Sequence, residues 1–265
     1  MSDVAIIAGA GWKCGGAGVK DIPPQTDAIS LPLTGCPEML LPLGNGTTVI
    51  SRLSSQLRKR GFTIFIGVAP VGYTYPSATY FVTYKKRRYP VDKESAQIGL
   101  SGEVWTQERL DYVAQFGTTF FGPDPDKSNI NSTLLAGIDR AGPDWDRWLL
   151  LPGDMMFSDA LLDEMIAWPC SCALWLGDLA LWLNAEGIGH YRELTRGRLG
   201  GKSKHHAISE KAWLVYPHRH GDALAKRGIK FLSYEEVGPH GREAGEIDSP
   251  GYYYPKMLEQ VKKFG

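Results

Sequence analysis

Almost at its first residue the chain runs through Val4-Ala5-Ile6-Ile7-Ala8 and breaks at once into Gly9-Ala10-Gly11-Trp12-Lys13-Cys14-Gly15-Gly16. A short apolar run bounded by glycine has no water-facing side, which predicts a buried strand, the first of an α/β sheet. Glycines just past such a strand let the main chain approach a ligand closely, and successive free N–H groups there favour a phosphate. Lys13 adds a cation to that loop.

The segments that follow alternate in the same sense. Residues 19–35 are rich in Pro, Thr and Asp and read as an extended loop. Cys36 to Thr47 holds a short apolar piece and a tight turn. Thr47 or Thr48 then caps a helix in which Val49, Ile50, Leu53 and Leu57 recur at helical spacing. Thr63–Val68 is a second buried strand, giving a βαβ unit. Further on, the pattern predicts a helix over 106–115 with Leu110, Val113 and Ala114 inward, and a strand over 118–121. A helix over 131–140 carries Leu134, Leu135 and Ile138 on one face, and a central strand over 148–151 ends at Pro152-Gly153-Asp154. A helix capped by Ser158 covers 159–166, a late strand 229–232, and a terminal helix 252–263. The expected architecture is one Rossmann-like three-layer α/β/α domain over residues 1–265, with a mostly parallel mixed sheet. Insertions are expected around 70–105 and 184–220.

Composition removes several classes of function. Lys+Arg and Asp+Glu both number 29, so the formal charge is zero and no excess of cations exists to neutralise nucleic acid or an anionic membrane. The cluster Lys85-Lys86-Arg87-Arg88 reads as a solvated loop or strand end. Four cysteines, at 14, 36, 170 and 172, make neither a disulfide framework nor a C-x-x-C pair. No stretch of about 18 apolar residues suggests a membrane span. No cationic region precedes the first apolar run, so no signal peptide is expected and the cytoplasm is the expected compartment.

Two carboxylates stand out. Asp154 follows Gly153 just past the end of a buried strand, where α/β sheets bind ligands, and Mg²⁺ is typically held by one or two such carboxylates plus phosphate oxygens. The plain alternative is an aspartate in a turn. Asp248, in Glu246-Ile247-Asp248-Ser249-Pro250, fits a helix N-cap with Pro250 in the first turn, and a second metal ligand is the sharper alternative.

Taken in order, these motifs resemble the nucleotidyltransferases that activate sugars and sugar-like alcohols, the MobA-like and sugar-phosphate members. Their opening signature is approximately A-G-x-G-x-R, a variable loop, then P-K-x-L-L-P-L-x-G. Ala8-Gly9-Ala10-Gly11-Trp12-Lys13 is similar to the first part with lysine for arginine, and Cys36-Pro37-Glu38-Met39-Leu40-Leu41-Pro42-Leu43-Gly44 to the second. Asn131-Ser132-Thr133-Leu134, Leu151-Pro152-Gly153-Asp154 and Ile247-Asp248-Ser249-Pro250-Gly251-Tyr252 resemble the later segments. The resemblance implies an in-line attack by a phosphorylated acceptor, such as a sugar 1-phosphate, on the α-phosphorus of a nucleoside triphosphate, with pyrophosphate leaving. It also implies Mg²⁺ held by Asp154 and Asp248. Lys13 and the Gly9–Gly16 backbone would hold the triphosphate. Ala8, Gly9, Ala10, Gly11, Asn131, Ser132 and Gly153 would line the nucleotide. The implied partners are the triphosphate and a small phosphorylated acceptor, with no nucleic acid and no membrane, and a homo-oligomer is compatible with the sequence.

One position departs from the pattern. The family lysine after the proline is Glu38 here, a charge that opposes a triphosphate unless Lys13 with Lys20, Lys202 or Lys204 compensates. The departure leaves open a catalytically inactive nucleotide-binding relative. A glycosyltransferase of the related nucleotide-sugar fold is a further alternative, although Gly153-Asp154-Met155-Met156 lacks the second aspartate of a D-x-D motif. An NAD-binding reading is weaker, because residue 14 is Cys where a third glycine is needed and no acidic residue ends the second strand. His205-His206 and His218-Arg219-His220 lack helical metal-ligand spacing. Gly200-Gly201-Lys202-Ser203-Lys204 lacks the spacing of a P-loop and reads as a cationic acceptor-side loop. Trp175 and Trp182 read as core.

Overall fold

The computed structural model describes residues 2–9, 37–40, 43, 46–71, 81–84, 87–90, 105–122, 130–153, 155–169, 172–174, 180–199, 230–232, 234–241 and 243–246. The opening run forms β1 (Asp3–Ala8), buried along its whole length except at its last residue. Thr48 then caps helix α1 (Val49–Lys59): its Oγ1 accepts from the Ser51 N–H, and the Ser51 hydroxyl oxygen accepts from the Thr48 N–H. This reciprocal pair satisfies two of the donors a helix start leaves open. Val49, Ile50, Leu53 and Leu57 are all buried, as their spacing predicts. Gly61 turns the chain at φ +80° into β2 (Thr63–Val68).

A hairpin follows, β3 (Phe81–Tyr84) and β4 (Arg87–Pro90), so the Arg87-Arg88 half of the basic cluster lies on a strand. Then come α2 (Gln107–Ala114) and β5 (Thr118–Phe121). In α2 Val113 is buried and Leu110 half-buried, but Ala114 is exposed and Arg109 is buried instead. The inward face is therefore rotated from the one expected. Beyond them lie α3 (Ile130–Ala141), β6 (Arg147–Pro152), β7 (Met155–Phe157) and α4 (Asp159–Ala167). The chain closes with β8 (Cys172–Leu174), β9 (Ala180–Asn184), α5 (Ala185–Leu199), β10 (Lys230–Leu232), the single turn α6 (Tyr234–Val237) and β11 (Ala244–Glu246).

Seven strands make one sheet in the order β10-β8-β9-β6-β1-β2-β5. The pairs β1–β2, β1–β6, β2–β5 and β8–β10 are parallel, and only β9 runs against its two neighbours. Side chains on a strand alternate between faces, and the core divides accordingly. Ala5 and Ile7 join Ile64, Ile66, Leu149 and Leu151 under α1, α2 and α4. Val4 and Ile6 join Leu134, Leu135, Ile138, Trp148 and Leu150 under α3 and α5. The expected mostly parallel α/β/α sandwich is what forms.

Two differences concern the middle of the chain. Two strands, β8 and β9, lie within residues 172–184, where the sequence pattern predicts no element. Residues 185–199, expected to begin an insertion, form α5, whose Ile188 and Tyr191 sit in the second core. Asn184 Oδ1 accepts from the Gly187 N–H at 2.8 Å and starts that helix. Trp182 is fully buried, as expected, whereas Trp175 lies outside the described residues. At the base of the sheet Asp3 takes a two-pronged contact from Arg147 at 2.8 and 2.5 Å, and that guanidinium lies 4.7 Å over the Trp182 ring. The terminal helix expected over 252–263 lies outside the described residues. None of the described helices is long and apolar enough to cross a membrane.

Candidate active site

Strand order reverses between β6 and β1: one leads outward to β9, the other to β2 and β5. In an open α/β sheet the crevice beyond the carboxyl ends of two such strands is where ligands bind. The two segments leaving that point here are Gly9 and Gly153. The Gly153 N–H donates to the Ala8 carbonyl at 2.8 Å, and the Gly9 N–H donates to the Gly67 carbonyl at 3.1 Å. Both loops therefore start from backbone fixed by the neighbouring strand.

At Gly153 the facing backbone leaves room only for glycine, whereas at Gly9 the nearest obstacle is the tip of a methionine side chain. A Cβ on Gly153 would lie 2.9 Å from Gly9 Cα and 3.0 Å from the Ala8 oxygen. A Cβ on Gly9 would lie 1.3 Å from Met39 Cε. Met39 belongs to the short 3-10 turn Glu38–Leu40, which the Leu40 N–H closes by donating to the Pro37 carbonyl at 2.8 Å. The two parts of the opening signature, some thirty residues apart in sequence, thus meet directly beneath the switch point.

The same edge continues across the next strands. A Cβ on Gly67 would lie 2.5 Å from Thr133 Cγ2, and one on Gly122 would lie 3.3 Å from Thr133 Oγ1. The first turn of α3, with Ser132 and Thr133 buried, is therefore wedged between the ends of β2 and β5. Gly153, Gly9, Gly67 and Gly122 form a row of glycines at the carboxyl ends of four adjacent parallel strands. Gly67 and Gly122 are not among the site residues expected from the sequence. Their signal is present there all the same, since Gly67 stands near the end of the buried strand β2 and Gly122 directly follows the short strand β5.

Directly after Gly153, β7 pairs antiparallel with β11, which places Glu246 opposite Met155. Met155 directly follows Asp154, and Glu246 stands two residues before Asp248. The Ser158 N–H donates to the Glu243 carbonyl at 2.9 Å and holds the start of this ladder. His240 Nδ1 and Glu243 Oε1 are 2.9 Å apart, and the His240 N–H donates to Glu164 Oε2 at 3.3 Å. The hydrogen bond to Glu243 raises the His240 pKa above its ordinary value, with the Glu164 charge adding to it. The bond to His240 lowers that of Glu243, helped by the Ser158 hydroxyl.

Among the expected site residues, Ala8, Gly9, Ser132 and Gly153 are described, and all lie at this one edge; Asn131 is described as part of α3. Ala10, Gly11, Lys13, Asp154 and Asp248 lie outside the described residues, as do Lys20, Lys202 and Lys204. Glu38 opens the turn beneath Gly9. Among the described residues no group of three His, Cys, Asp or Glu side chains is arranged to hold a metal ion.

No protein-family model matches the sequence, and no curated protein sequence matches it. Solved structures similar to the chain include an inositol-1-phosphate CTP transferase from T. maritima, at 13% identity and a TM-score of 0.48 over 100% of this chain and 96% of that one. A UDP-glucose pyrophosphorylase complexed with UDP-glucose is similar at 12% identity and a TM-score of 0.31, over 66% of this chain and 57% of that one. A protein described as mannose-1-phosphate geranyltransferase from Thermus thermophilus is similar at 12% identity and a TM-score of 0.36, over 91% of this chain and 71% of that one. The α/β fold itself rests on the strand order and the two-sided core described above.

Proposed function

We propose that the protein is a nucleotidyltransferase that moves a nucleoside monophosphate from a nucleoside triphosphate onto a small phosphorylated acceptor, a sugar phosphate or similar alcohol phosphate, and releases pyrophosphate. The observation that carries the reading is the meeting of Gly9, Met39 and Gly153 at the switch point of the sheet. Motifs from distant parts of the sequence converge where such a fold binds a ligand. A triphosphate lying there would meet main-chain N–H groups of the glycine loop and the ammonium of Lys13. Both stabilise charge on phosphate oxygens as the bond to the α-phosphorus changes partners. The acceptor phosphate is already anionic near neutral pH, so no general base is required.

Asp154 and Asp248 are the residues that would hold Mg²⁺. The donor chemistry fits, because hard oxygen ligands suit that ion, and the β7–β11 ladder joins the chain segments that lead from one to the other. When bound, the ion would neutralise phosphate charge and align the triphosphate. The chain's own contribution is orientation: the row of glycines admits the phosphates close to the strand ends, and the first turn of α3, with Asn131 and Ser132, lies on the nucleotide side.

Pyrophosphate release, measured with Mg²⁺ across four nucleoside triphosphates and a panel of sugar and alcohol phosphates, tests the proposal. Turnover that disappears in Asp154→Ala and falls steeply in Lys13→Ala is expected. No turnover, with no thermal shift by any triphosphate, would point instead to an inactive relative.

A further inference from the structure

We infer that Glu243 is a positioning residue: its carboxylate clasps the Ser158 hydroxyl and the His240 ring at the start of β11, and so fixes the strand that leads into Asp248. The kinetic consequence rests on the nucleotidyltransferase reading and on the proposed role of Asp248; the geometry rests on neither. β11 needs such an anchor. Its ladder with β7 pairs Ala244 with Phe157, Gly245 with Met156 and Glu246 with Met155. A two-stranded ribbon standing alone is marginal in water at best. β7 is held independently, since Met155, Met156 and Phe157 are all buried and Gln56 Nε2 donates to the Phe157 carbonyl at 3.0 Å. β11 brings only Ala-Gly-Glu, with no large apolar side chain to sink into the core. Its position is set from its first end.

Glu243 secures that end through both main chain and side chain. Its carbonyl accepts from the Ser158 N–H at 2.9 Å, and its own N–H donates to the His240 carbonyl at 2.8 Å. Its carboxylate takes the Ser158 hydroxyl proton, while that same hydroxyl oxygen accepts from the Leu161 N–H at 3.0 Å and caps α4. One serine thus joins the end of β7, the start of α4 and the start of β11. On its other side Glu243 Oε1 lies 2.9 Å from His240 Nδ1. Val237, His240 and Glu243 are tied in turn to Trp168, Glu164 and Ser158, from the end of α4 back to its start. Among the described residues, Glu243 and Glu164 are the charged groups that act on the His240 ring. Asp248 stands five residues beyond Glu243.

The test compares Glu243→Ala, Glu243→Gln and His240→Ala with Trp168→Phe, which cuts the far tie of the same segment, the 3.1 Å bond from Trp168 Nε1 to the Val237 carbonyl. Rates at saturating triphosphate and acceptor are read against free Mg²⁺. Groups that hold a metal ligand in place from outside are worth about tenfold or more in metal affinity. Glu243→Ala is therefore expected to raise the Mg²⁺ concentration for half-maximal rate about tenfold, and His240→Ala, which removes one of the two clasps, about threefold, with the acceptor KM moving less. Glutamine at 243 should stay close to the native value, because its amide oxygen still accepts from Ser158 and its NH₂ donates to a neutral His240 ring. Trp168→Phe should lower Tm and leave the Mg²⁺ requirement unchanged. An unchanged requirement in Glu243→Ala, or an equal rise in Trp168→Phe, would overturn the inference. If Glu243→Ala does not fold, His240→Ala against Trp168→Phe decides in the same way. Amide hydrogen exchange of the same proteins, without Mg²⁺ or nucleotide, separates this inference from the proposed activity. Faster exchange in β7 and β11 of Glu243→Ala, but not of Glu243→Gln, is expected even if no triphosphate is turned over. Exchange unchanged in Glu243→Ala would reject the positioning role itself.

Discussion

Gly137 sits in the middle of α3, facing the sheet, and a methyl group there has nowhere to go. In Gly137→Ala the new Cβ would lie 2.3 Å from Ile6 Cγ2 and 2.6 Å from Phe120 Cζ. Ile6 is fully buried in β1 and Phe120 is nearly so in β5, so neither yields without moving the helix. Overpacking a dense core costs about 1–3 kcal/mol, and two contacts this short argue for the upper half of that range. Alanine returns about 1 kcal/mol through its better helix propensity. The expected net loss is about 1–2 kcal/mol, which for a chain of this size lowers Tm by about 2–4 °C per kcal/mol. Gly189→Ala is the matched control: it also lies inside a helix, α5, but is exposed, with nothing within 4 Å of its new Cβ. That change should stabilise by up to about 1 kcal/mol. Denaturant midpoints at equal m values measure both, and Phe120→Leu, which removes the ring tip, should lessen the cost of Gly137→Ala. If Gly137→Ala stabilised the protein as much as Gly189→Ala does, the close approach of α3 to β1 and β5 would be refuted.

Two further outcomes are expected. Thr48→Ala removes the oxygen that caps α1 and also its 3.1 Å contact with the Tyr112 hydroxyl, and should cost about 1–2 kcal/mol, most of it recovered by serine; thermal or denaturant unfolding of the alanine and serine variants measures it. The His240–Glu243 pair predicts a pH window for the segment that leads into β11. His240 is raised above 6.5, so its share of the stability is complete below that value and is lost as pH climbs through the raised pKa; Glu243 is lowered below 4.5, so its share is complete above that value and is lost as pH falls through the lowered pKa. Proton titration of His240 by NMR checks this: Glu243→Gln should bring its pKa back down toward 6.5, and no change would sink the assignment.

How much of this is legible in the sequence follows physical lines. β1, α1, β2, α3, β6 and α4 announce themselves because each buries several regularly spaced apolar side chains, and some carry a local cap, as Thr48 and Ser158 do. α5 is hidden by Gly187, Gly189 and Gly197, residues that disfavour a helix. It is held by tertiary contacts that no local window contains: Ile188 and Tyr191 in the core, and Arg192 paired with Asp139 of α3 at 3.1 Å. β7 and β11 have three residues each, too few for any periodicity, and exist because they pair with each other. In α2 the inward face departs from the expected one at Ala114, because the buried Arg109 breaks the apolar pattern. At the site, the glycines at the ends of β1 and β6 are visible as breaks after apolar runs. The contact of Met39 with Gly9 is not, since nothing local to either segment encodes it.

A triphosphate is proposed to bind where β1 and β6 end. Amide hydrogen exchange of the native protein, with and without a nucleoside triphosphate and Mg²⁺ and with no acceptor present, reads this segment by segment. Slowed exchange concentrated in residues 9–16 and around Gly153 to Phe157 is the predicted result. A bound triphosphate that slows exchange elsewhere and leaves both of those segments unchanged would contradict it.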